Sequence, residues 1–376
     1  MLKKRILMIL MLLMSLKGMA EEDYTSLLLG DDKGHIYYSE NIDERHPLAS
    51  VTKMVNLMVV YDKVHAGEIK LTDMVPISEK ARNLGGSRIW MGRGSRISVE
   101  ELIKATAIYS ANNAAYALAE YVSGGDVDNF IELMNEKARE AGAGDEVIFY
   151  TPMGLPPHMT GTGMDEGSAR GIYLLSLEAL KYPDYIKIAS TKETVIQGSQ
   201  RIRNRNKLLS VEKGIYGIKT GHHSTAGYNI SIASKRNDIN AITVVFGSPT
   251  EYRRNKVAEE TIDLFYKEFQ VRKVVDSHAA LGRIRVERGE EEYLPIYPEK
   301  DIMKFTSNKW DVKIETDYNK RIVAPVAKGE KLGSYRVLVD GKAIGRGFIY
   351  AKEDIAKEDA LEEVLKDIFE DKKAEI

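Results

Sequence analysis

Apolar and polar positions fall into distinct textures along the chain, and each texture predicts an element. Tyr24–Leu29 and His35–Ser39 flank Asp31-Asp32-Lys33-Gly34, which predicts a strand, a tight turn and a second strand. Pro47 to Asp62 is dense in apolar residues (Val51, Met54, Val55, Leu57, Met58, Val59) and predicts a helix buried on most of its faces. Leu71–Ile77 reads as extended and opens a loop-rich region punctuated by Gly85, Gly86, Gly92 and Gly94. Ser98, with Glu101 three residues later, has the form of a capped helix start. That helix runs to Tyr109-Ser110-Ala111-Asn112. An alanine-rich helix follows from Asn113 to Val122, and then an amphipathic one from Val127 to Ala141 with Phe130, Ile131, Met134 and Ala138 on one face.

After an irregular connection that begins Tyr150-Thr151-Pro152-Met153-Gly154-Leu155-Pro156-Pro157, Ser168–Lys181 returns to helix. Gly214–Thr220, Tyr228–Ala233 and Ile239–Phe246 predict three strands, the last two joined by the polar turn Lys235-Arg236-Asn237-Asp238, and a helix is predicted over Asn255–Phe269. A helical block between strands at both ends predicts an α+β fold, one sheet drawing strands from both termini and covered by helices. From about Val271 the texture changes to short alternating runs (Leu281–Val286, Asp311–Thr316, Ser334–Val339, Ile344–Tyr350), a small all-β domain. Lys357–Ile376 carries Leu361, Val364, Leu365 and Ile368 at amphipathic helical spacing. The expected parts are a leader over 1–20, a main domain over 21–270, a β domain over 271–352 and a helical tail over 353–376.

Composition adds an address. Lys3, Lys4 and Arg5 precede an apolar stretch from Ile6 to Leu16, and Gly18-Met19-Ala20 offers small residues before a cut, the form of a secretory signal peptide. With that leader removed the chain has 50 basic against 56 acidic residues, which gives no reason to expect a nucleic-acid partner. Absence of cysteine excludes disulfides, thiolate metal sites, cysteine nucleophiles and a lipid-modified cysteine at the leader's end. An exported chain without disulfides relies on its core, which fits a bacterial cell envelope.

The chemistry starts at Ser50 and Lys53. They lie one helical turn apart on one face, and Lys53 is a cation inside a segment that otherwise excludes charge. A desolvated lysine loses proton affinity and becomes a usable base for a neighbouring serine. Alone, the pair reads more readily as a helix cap followed by a snorkelling lysine, since Ser-x-x-Lys occurs by chance in most chains of this length. Ser110 and Asn112 sit at a helix junction, where a hydroxyl and an amide can point into one cleft or merely cap the next helix. Lys219-Thr220-Gly221 ends a strand, where a lysine and a hydroxyl can bind a carboxylate and glycine allows a substrate backbone to lie close. The ordered set Ser-x-x-Lys, Ser-x-Asn, Lys-Thr-Gly, each in its own structural context, is the combination associated with β-lactamases and penicillin-binding proteins.

On these motifs, together with His46-Pro47-Leu48-Ala49, Thr151-Pro152-Met153-Gly154-Leu155, Ser168-Ala169-Arg170, Arg205-Asn206 and Ala226-Gly227-Tyr228-Asn229, the chain resembles the serine-type D-alanyl-D-alanine carboxypeptidases, the low-molecular-mass penicillin-binding proteins. The resemblance runs from Tyr24 to Phe269 and, more weakly, through the β domain to Tyr350. It implies a β-lactamase/transpeptidase-like catalytic domain, an antiparallel sheet flanked by helices with an all-helical subdomain, followed by the small β domain and the tail. It implies peptidoglycan pentapeptide stems as substrate, β-lactams as acylating inhibitors, and no cofactor or metal. Ser50 would be the nucleophile, Lys53 the general base and Ser110 the proton relay. Asn112 would orient Lys53 and substrate. Lys219 and Thr220, with Arg254 or its neighbour Arg253, would hold the terminal carboxylate. Gly221 and His222 would bind substrate along the strand, and the backbone N–H groups of Ser50 and His222 would hold the oxyanion.

Two departures qualify the likeness. Ala111 stands where glycine is more usual, a methyl group near the cleft. The tail, which in the family docks on the membrane surface, has four lysines against eight acids from Lys357 onward, a charge that opposes anionic lipid. A β-lactamase would need an acid for deacylation, and Glu132-Leu133-Met134-Asn135 is a faint match inside a predicted helix. A D,D-endopeptidase would share every motif, and a non-catalytic wall-binding scaffold would be expected to lose Ser50 or Lys53. Oligomeric state leaves no mark on the sequence.

Overall fold

The computed structural model describes residues 23–210, 214–307 and 309–359. The leader expected at 1–20 and the tail expected at 353–376 from residue 360 onward lie outside them. The described part of that tail is not helical, since Ile355 and Lys357 bridge to Val326 and Gly289 of the β unit. The chain divides into two compact units between Tyr266 and Lys267.

The first unit is built on a five-stranded antiparallel sheet. Its strands are β1 (Ser26–Asp31), β2 (Ile36–Glu40), β3 (Ile215–His223), β4 (Gly227–Arg236) and β5 (Ile239–Ser248). Their order is β3-β4-β5-β1-β2, so strands from both ends of the unit share one sheet, as the pattern predicts. Every residue of β1 is buried, which a strand must be when helices cover both faces. Helix α1 (Lys53–His65) runs through the core, with all nine residues from Lys53 to Tyr61 buried. Around it pack α2 (Val99–Lys104), α3 (Asn112–Val122), α4 (Val127–Glu140) and α5 (Ala169–Ala179). Tyr173 of α5 lies so close to β1 that only glycine fits at Gly30, and its hydroxyl donates to Asp31 O at 2.6 Å.

The local signals hold where side chains make them. Ser98 Oγ accepts from Glu101 N at 3.3 Å, and Ser168 Oγ accepts from Gly171 N at 2.9 Å, caps worth about 1 kcal/mol each. Helix α6 (Glu251–Glu268) begins four residues before the predicted Asn255. Its charged first turn hid it from a reading based on apolar spacing.

The second unit is all β in its described part. Six strands order as Val312–Tyr318, Lys331–Val339, Lys342–Ala351, Tyr293–Pro298, Gly282–Glu287 and Arg321–Val323, and a separate pair joins Phe269–Val275 to Ile302–Ser307. Ile284, Ile296, Tyr335, Val337 and Ile349 form its core. The strands Phe269–Val275, Tyr293–Pro298 and Ile302–Ser307 were not visible in the sequence, since proline, charged residues and turns interrupt their alternation.

Candidate active site

The chain enters α1 through a single 3-10 turn, Ala49–Thr52, with no side-chain cap. Ser50 is therefore free of the capping role that its position invites. Ser50 Oγ instead accepts from Lys53 Nζ at 2.7 Å. Lys53 is completely buried, and its Nζ has two further acceptors, Asn112 Oδ1 at 2.7 Å and the Met153 carbonyl at 2.6 Å. Burial, then the neighbouring Lys219 charge, push its proton affinity well below the usual lysine range, against an upward pull from Asp165. These partners differ in kind. The amide oxygen and the carbonyl can only accept, whereas a hydroxyl can also donate. A neutral Lys53 thus gives its two hydrogens to Asn112 and Met153 and turns its lone pair to the Ser50 hydroxyl, which is the geometry of a general base.

Ser110 and Asn112 come into the site through a break in the helical block. A π-type turn over Ala105–Tyr109 ends at Ser110, which is held in the left-handed region at φ 62° and ψ 36°. That conformation costs a non-glycine residue about 1–2 kcal/mol and re-aims the chain between α2 and α3. Ser110 Oγ accepts from Lys219 Nζ at 2.9 Å, and Lys219 Nζ also donates to Thr220 O at 2.8 Å. Asn112 is fixed at both ends, its Nδ2 donating to Gly85 O at 2.8 Å. Ala111 is fully buried, so its methyl packs in the core and does not narrow the cleft.

Two cavities meet at Ser50. One, about 230 Å³, is lined by Ser50, Ser110, Thr220, His222, Arg205 and Arg254 among others, and sets two arginines against one carboxylate, Glu251, which lies 3.6 Å from Arg254. The other, about 220 Å³, is lined by Ser50, Asn112, Leu155, His158, Met159 and His222 among others. A larger hollow of about 890 Å³ around Leu174, Leu177 and Tyr216 contains none of the motif residues. Burial, followed by the charges of Arg205 and Arg254, brings Lys219 down to about 7, and burial brings Arg254 to about 10. Arg254 is the arginine in the site: it lines the cationic cavity, while Arg253 pairs with Asp23 at 3.3 Å. The His222 ring stacks on Tyr228 with centroids 3.9 Å apart, and burial holds its proton affinity down.

Gly221 lines the cavity at Ser50 and also serves the packing of its own chain. A Cβ there would lie 2.6 Å from Leu48 O and 3.1 Å from Ser50 N, so glycine lets β3 approach the Ser50 turn. Three contributors escaped the sequence reading. The Met153 carbonyl leaves no side-chain signal. Arg205, stacked 4.3 Å from the Tyr109 ring centroid, stood in a noted motif without a role. Asp165 is a buried acid in an irregular loop, and no spacing marks it. Among the described residues one acidic and histidine cluster has metal-ligand spacing, Asp276, His278 and Asp301 in the second unit, but Lys273 pairs with both carboxylates, at 3.6 and 2.8 Å.

A serine next to a buried amine, opening on a cavity that two arginines line, is an arrangement suited to a serine hydrolase with lysine as base and an anionic group held beside it. Comparison narrows that class. The family described as D-alanyl-D-alanine carboxypeptidase matches residues 20–250, and one described as penicillin-binding protein 5, C-terminal domain, matches residues 269–357. D-alanyl-D-alanine carboxypeptidase DacF of Bacillus subtilis is 30% identical over 90% of this chain and 87% of its own length. DacA of Haemophilus influenzae is 28% identical over 89% of this chain and 85% of its own. The solved structure of penicillin binding protein 5 from Haemophilus influenzae superimposes with a TM-score of 0.65 at 29% identity, covering 89% of this chain and 98% of that one. The chain belongs to the D-alanyl-D-alanine carboxypeptidase family.

Proposed function

We propose that the protein removes the terminal D-alanine from peptidoglycan pentapeptide stems through an acyl-enzyme on Ser50. The observation that carries this reading is the buried Lys53 amine on Ser50 Oγ, with its other bonds taken by groups that can only accept. The penultimate carbonyl sits over Ser50, and the terminal carboxylate lies in the cationic cavity with Lys219, Thr220, Arg254 and Arg205. Lys53 takes the hydroxyl proton as Oγ bonds to the carbonyl carbon. The oxyanion is held by the backbone N–H groups of Ser50 and His222. Ser110, bonded to Lys219, gives its hydroxyl proton to the leaving amine as the C–N bond breaks, and the proton that Lys53 took replaces it, which returns Lys53 to the neutral amine. Water then attacks the ester carbon and gives a proton to Lys53, and that proton passes to Ser50 Oγ as the ester C–O bond breaks, which frees Ser50. β-Lactams, which carry a carboxylate beside a strained amide, acylate the same serine.

Intact mass after brief exposure to benzylpenicillin tests this: an adduct on the wild type and none on Ser50→Ala is expected. An intact drug and no adduct would overturn it. Rapid drug loss without adduct would point to a β-lactamase. Against that second reading, Glu132 pairs with Arg139 at 2.6 Å and lines a separate surface groove.

Location follows from the leader-like first twenty residues, which support export to the bacterial cell envelope, where the stems are. A mature chain beginning at Glu21 is the expected mass. Amphipathic spacing in the tail supports a peripheral membrane contact, and its net negative charge favours an uncharged lipid surface over an anionic one. Flotation with neutral vesicles, with and without residues 357–376, tests that contact.

A further inference from the structure

Asp165 is 1% exposed, and among the described residues no cation pairs with it. A buried carboxylate needs its lone pairs satisfied, and here four donors do so. Oδ1 accepts from Tyr150 N at 2.7 Å and Thr151 N at 2.9 Å, while Oδ2 accepts from Thr151 Oγ1 at 2.7 Å and Thr52 Oγ1 at 3.1 Å. Its backbone carbonyl accepts from Leu48 N at 2.9 Å. Asp165 therefore holds both ends of the Ser50 turn, at Leu48 and Thr52, and fastens them to the segment at Thr151. Thr151 Oγ1 in turn accepts from Gly154 N at 2.8 Å and Met153 N at 3.3 Å, and Met153 supplies the carbonyl that takes a hydrogen from Lys53. Gly154 is itself locked, since a Cβ there would overlap Ala49 O.

We propose that Asp165 is a positioning residue for the reaction: it clamps the Ser50 turn to the Met153 loop, and its carboxylate is the buried counter-charge to the Lys53 ammonium. Two charged side chains weigh on Lys53, Lys219 from β3 and Asp165 from the loop, with opposite sign. Of the other elements that touch its amine, α3 contributes Asn112 and the loop a carbonyl, neither of them ionisable. Asp165 is itself faced by hydroxyls and backbone N–H groups from α1's entry turn and the loop. Burial pushes its carboxyl up to about 6 against those bonds, so it is mostly charged at neutral pH. Lys53 gains a proton during each acylation, and a fixed anion nearby stabilises that cation as it forms.

This inference rests on the proposed Ser50 acylation, and the test keeps the two apart. The measurement is the second-order rate of acylation by benzylpenicillin as a function of pH, for wild type and Asp165→Asn. Asparagine keeps Oδ1 as acceptor for the two backbone N–H groups, and Thr52 Oγ1 can rotate to accept from its nitrogen, so charge is lost while most of the clamp is kept. Thr151 Oγ1, which already accepts from Gly154 N and Met153 N, loses its own acceptor. The expected result is a lower plateau rate with the acidic limb displaced to lower pH, because Lys53 loses the anion that favours its protonated form. The ratio of variant to wild-type rate therefore rises as pH falls. Asp165→Ser, also neutral, gives the same reading if the asparagine variant does not fold. Limb position does not depend on the fraction of folded protein. A limb unmoved in either neutral variant overturns the proposal, whatever happens to the plateau, since a purely structural role lowers the rate equally at all pH. Failure of the wild type to form an adduct would instead remove the Ser50 reading.

Discussion

Gly221 on β3 and Ser50 on the turn into α1 are packed so closely that a single methyl group between them has no room. The nearest atoms to an added Cβ are backbone, Leu48 O at 2.6 Å, Val51 N at 3.0 Å and Ser50 N at 3.1 Å, so no side chain can swing aside. Gly221→Ala must push the strand away from the nucleophile. We expect a loss of about 1–3 kcal/mol in urea unfolding and a fall in acylation rate of about a hundredfold, as when reacting groups are displaced by about an ångström. Normal acylation with unchanged stability would show that the two segments are not held together as described.

Ser110 allows strain and chemistry to be separated. Its left-handed backbone is tolerated by glycine and costly for alanine, and both substitutions remove the hydroxyl that Lys219 holds. Ser110→Gly and Ser110→Ala should lose activity alike, by about 10²–10⁴-fold, yet differ in stability by about 1 kcal/mol in favour of glycine. Equal unfolding midpoints would argue against the strained conformation.

Much of this was legible in the chain, and the failures have physical reasons. Dense apolar runs with period near 3.6 gave α1, α3, α4 and α5, and the strands flanking polar turns gave the central sheet, because those elements bury whole faces. Ser50, Lys53, Ser110, Asn112 and Lys219 carried enough chemistry in order to mark a site. Partners that act through backbone groups, such as the Met153 carbonyl, leave no residue-type signal. Asp165 makes its contacts to segments more than a hundred positions away at Thr52, and only the fold reveals them. The choice between Arg253 and Arg254 likewise depended on which face of α6 looks into the cavity.

That choice yields a contrast within one dipeptide. Arg254 is 2% exposed at the cavity, held by Asn255 at 2.7 Å and more loosely by Glu251 at 3.6 Å, whereas Arg253 is half-exposed and pairs with Asp23. A charge-assisted bond to a buried carboxylate is worth about 1.5–3 kcal/mol, so Arg254→Ala should raise KM for a D-Ala-D-Ala peptide by about 10–100-fold. Arg253→Ala, which disturbs only a surface pair, should change it by less than about threefold. Steady-state kinetics on the two variants decides the point, and equal effects would mean that Arg254 does not meet the substrate.

The pH dependence of substrate binding follows from Lys219. Burial and two neighbouring guanidinium groups bring it to about 7 in the empty site, so it gives up its proton near neutrality when nothing anionic is bound. Deprotonation removes one positive charge from the cavity that takes the terminal carboxylate, while Arg254, brought only to about 10, remains charged. Affinity for a carboxylate-terminated ligand should therefore weaken as pH rises above about 7 and then level off on the remaining arginines. Below that pH Lys219 is already protonated and affinity should be flat until the ligand's own carboxylate titrates. Lys53 moves activity in the opposite direction, gaining function as it loses its proton, so rates alone would mix the two. Calorimetry on Ser50→Ala with a D-Ala-D-Ala peptide, against the same peptide ending in an amide, isolates the binding step. The carboxylate should show the decline and the amide should not. A decline common to both would trace to a change in the fold, and no decline in either would mean that Lys219 keeps its proton through the range.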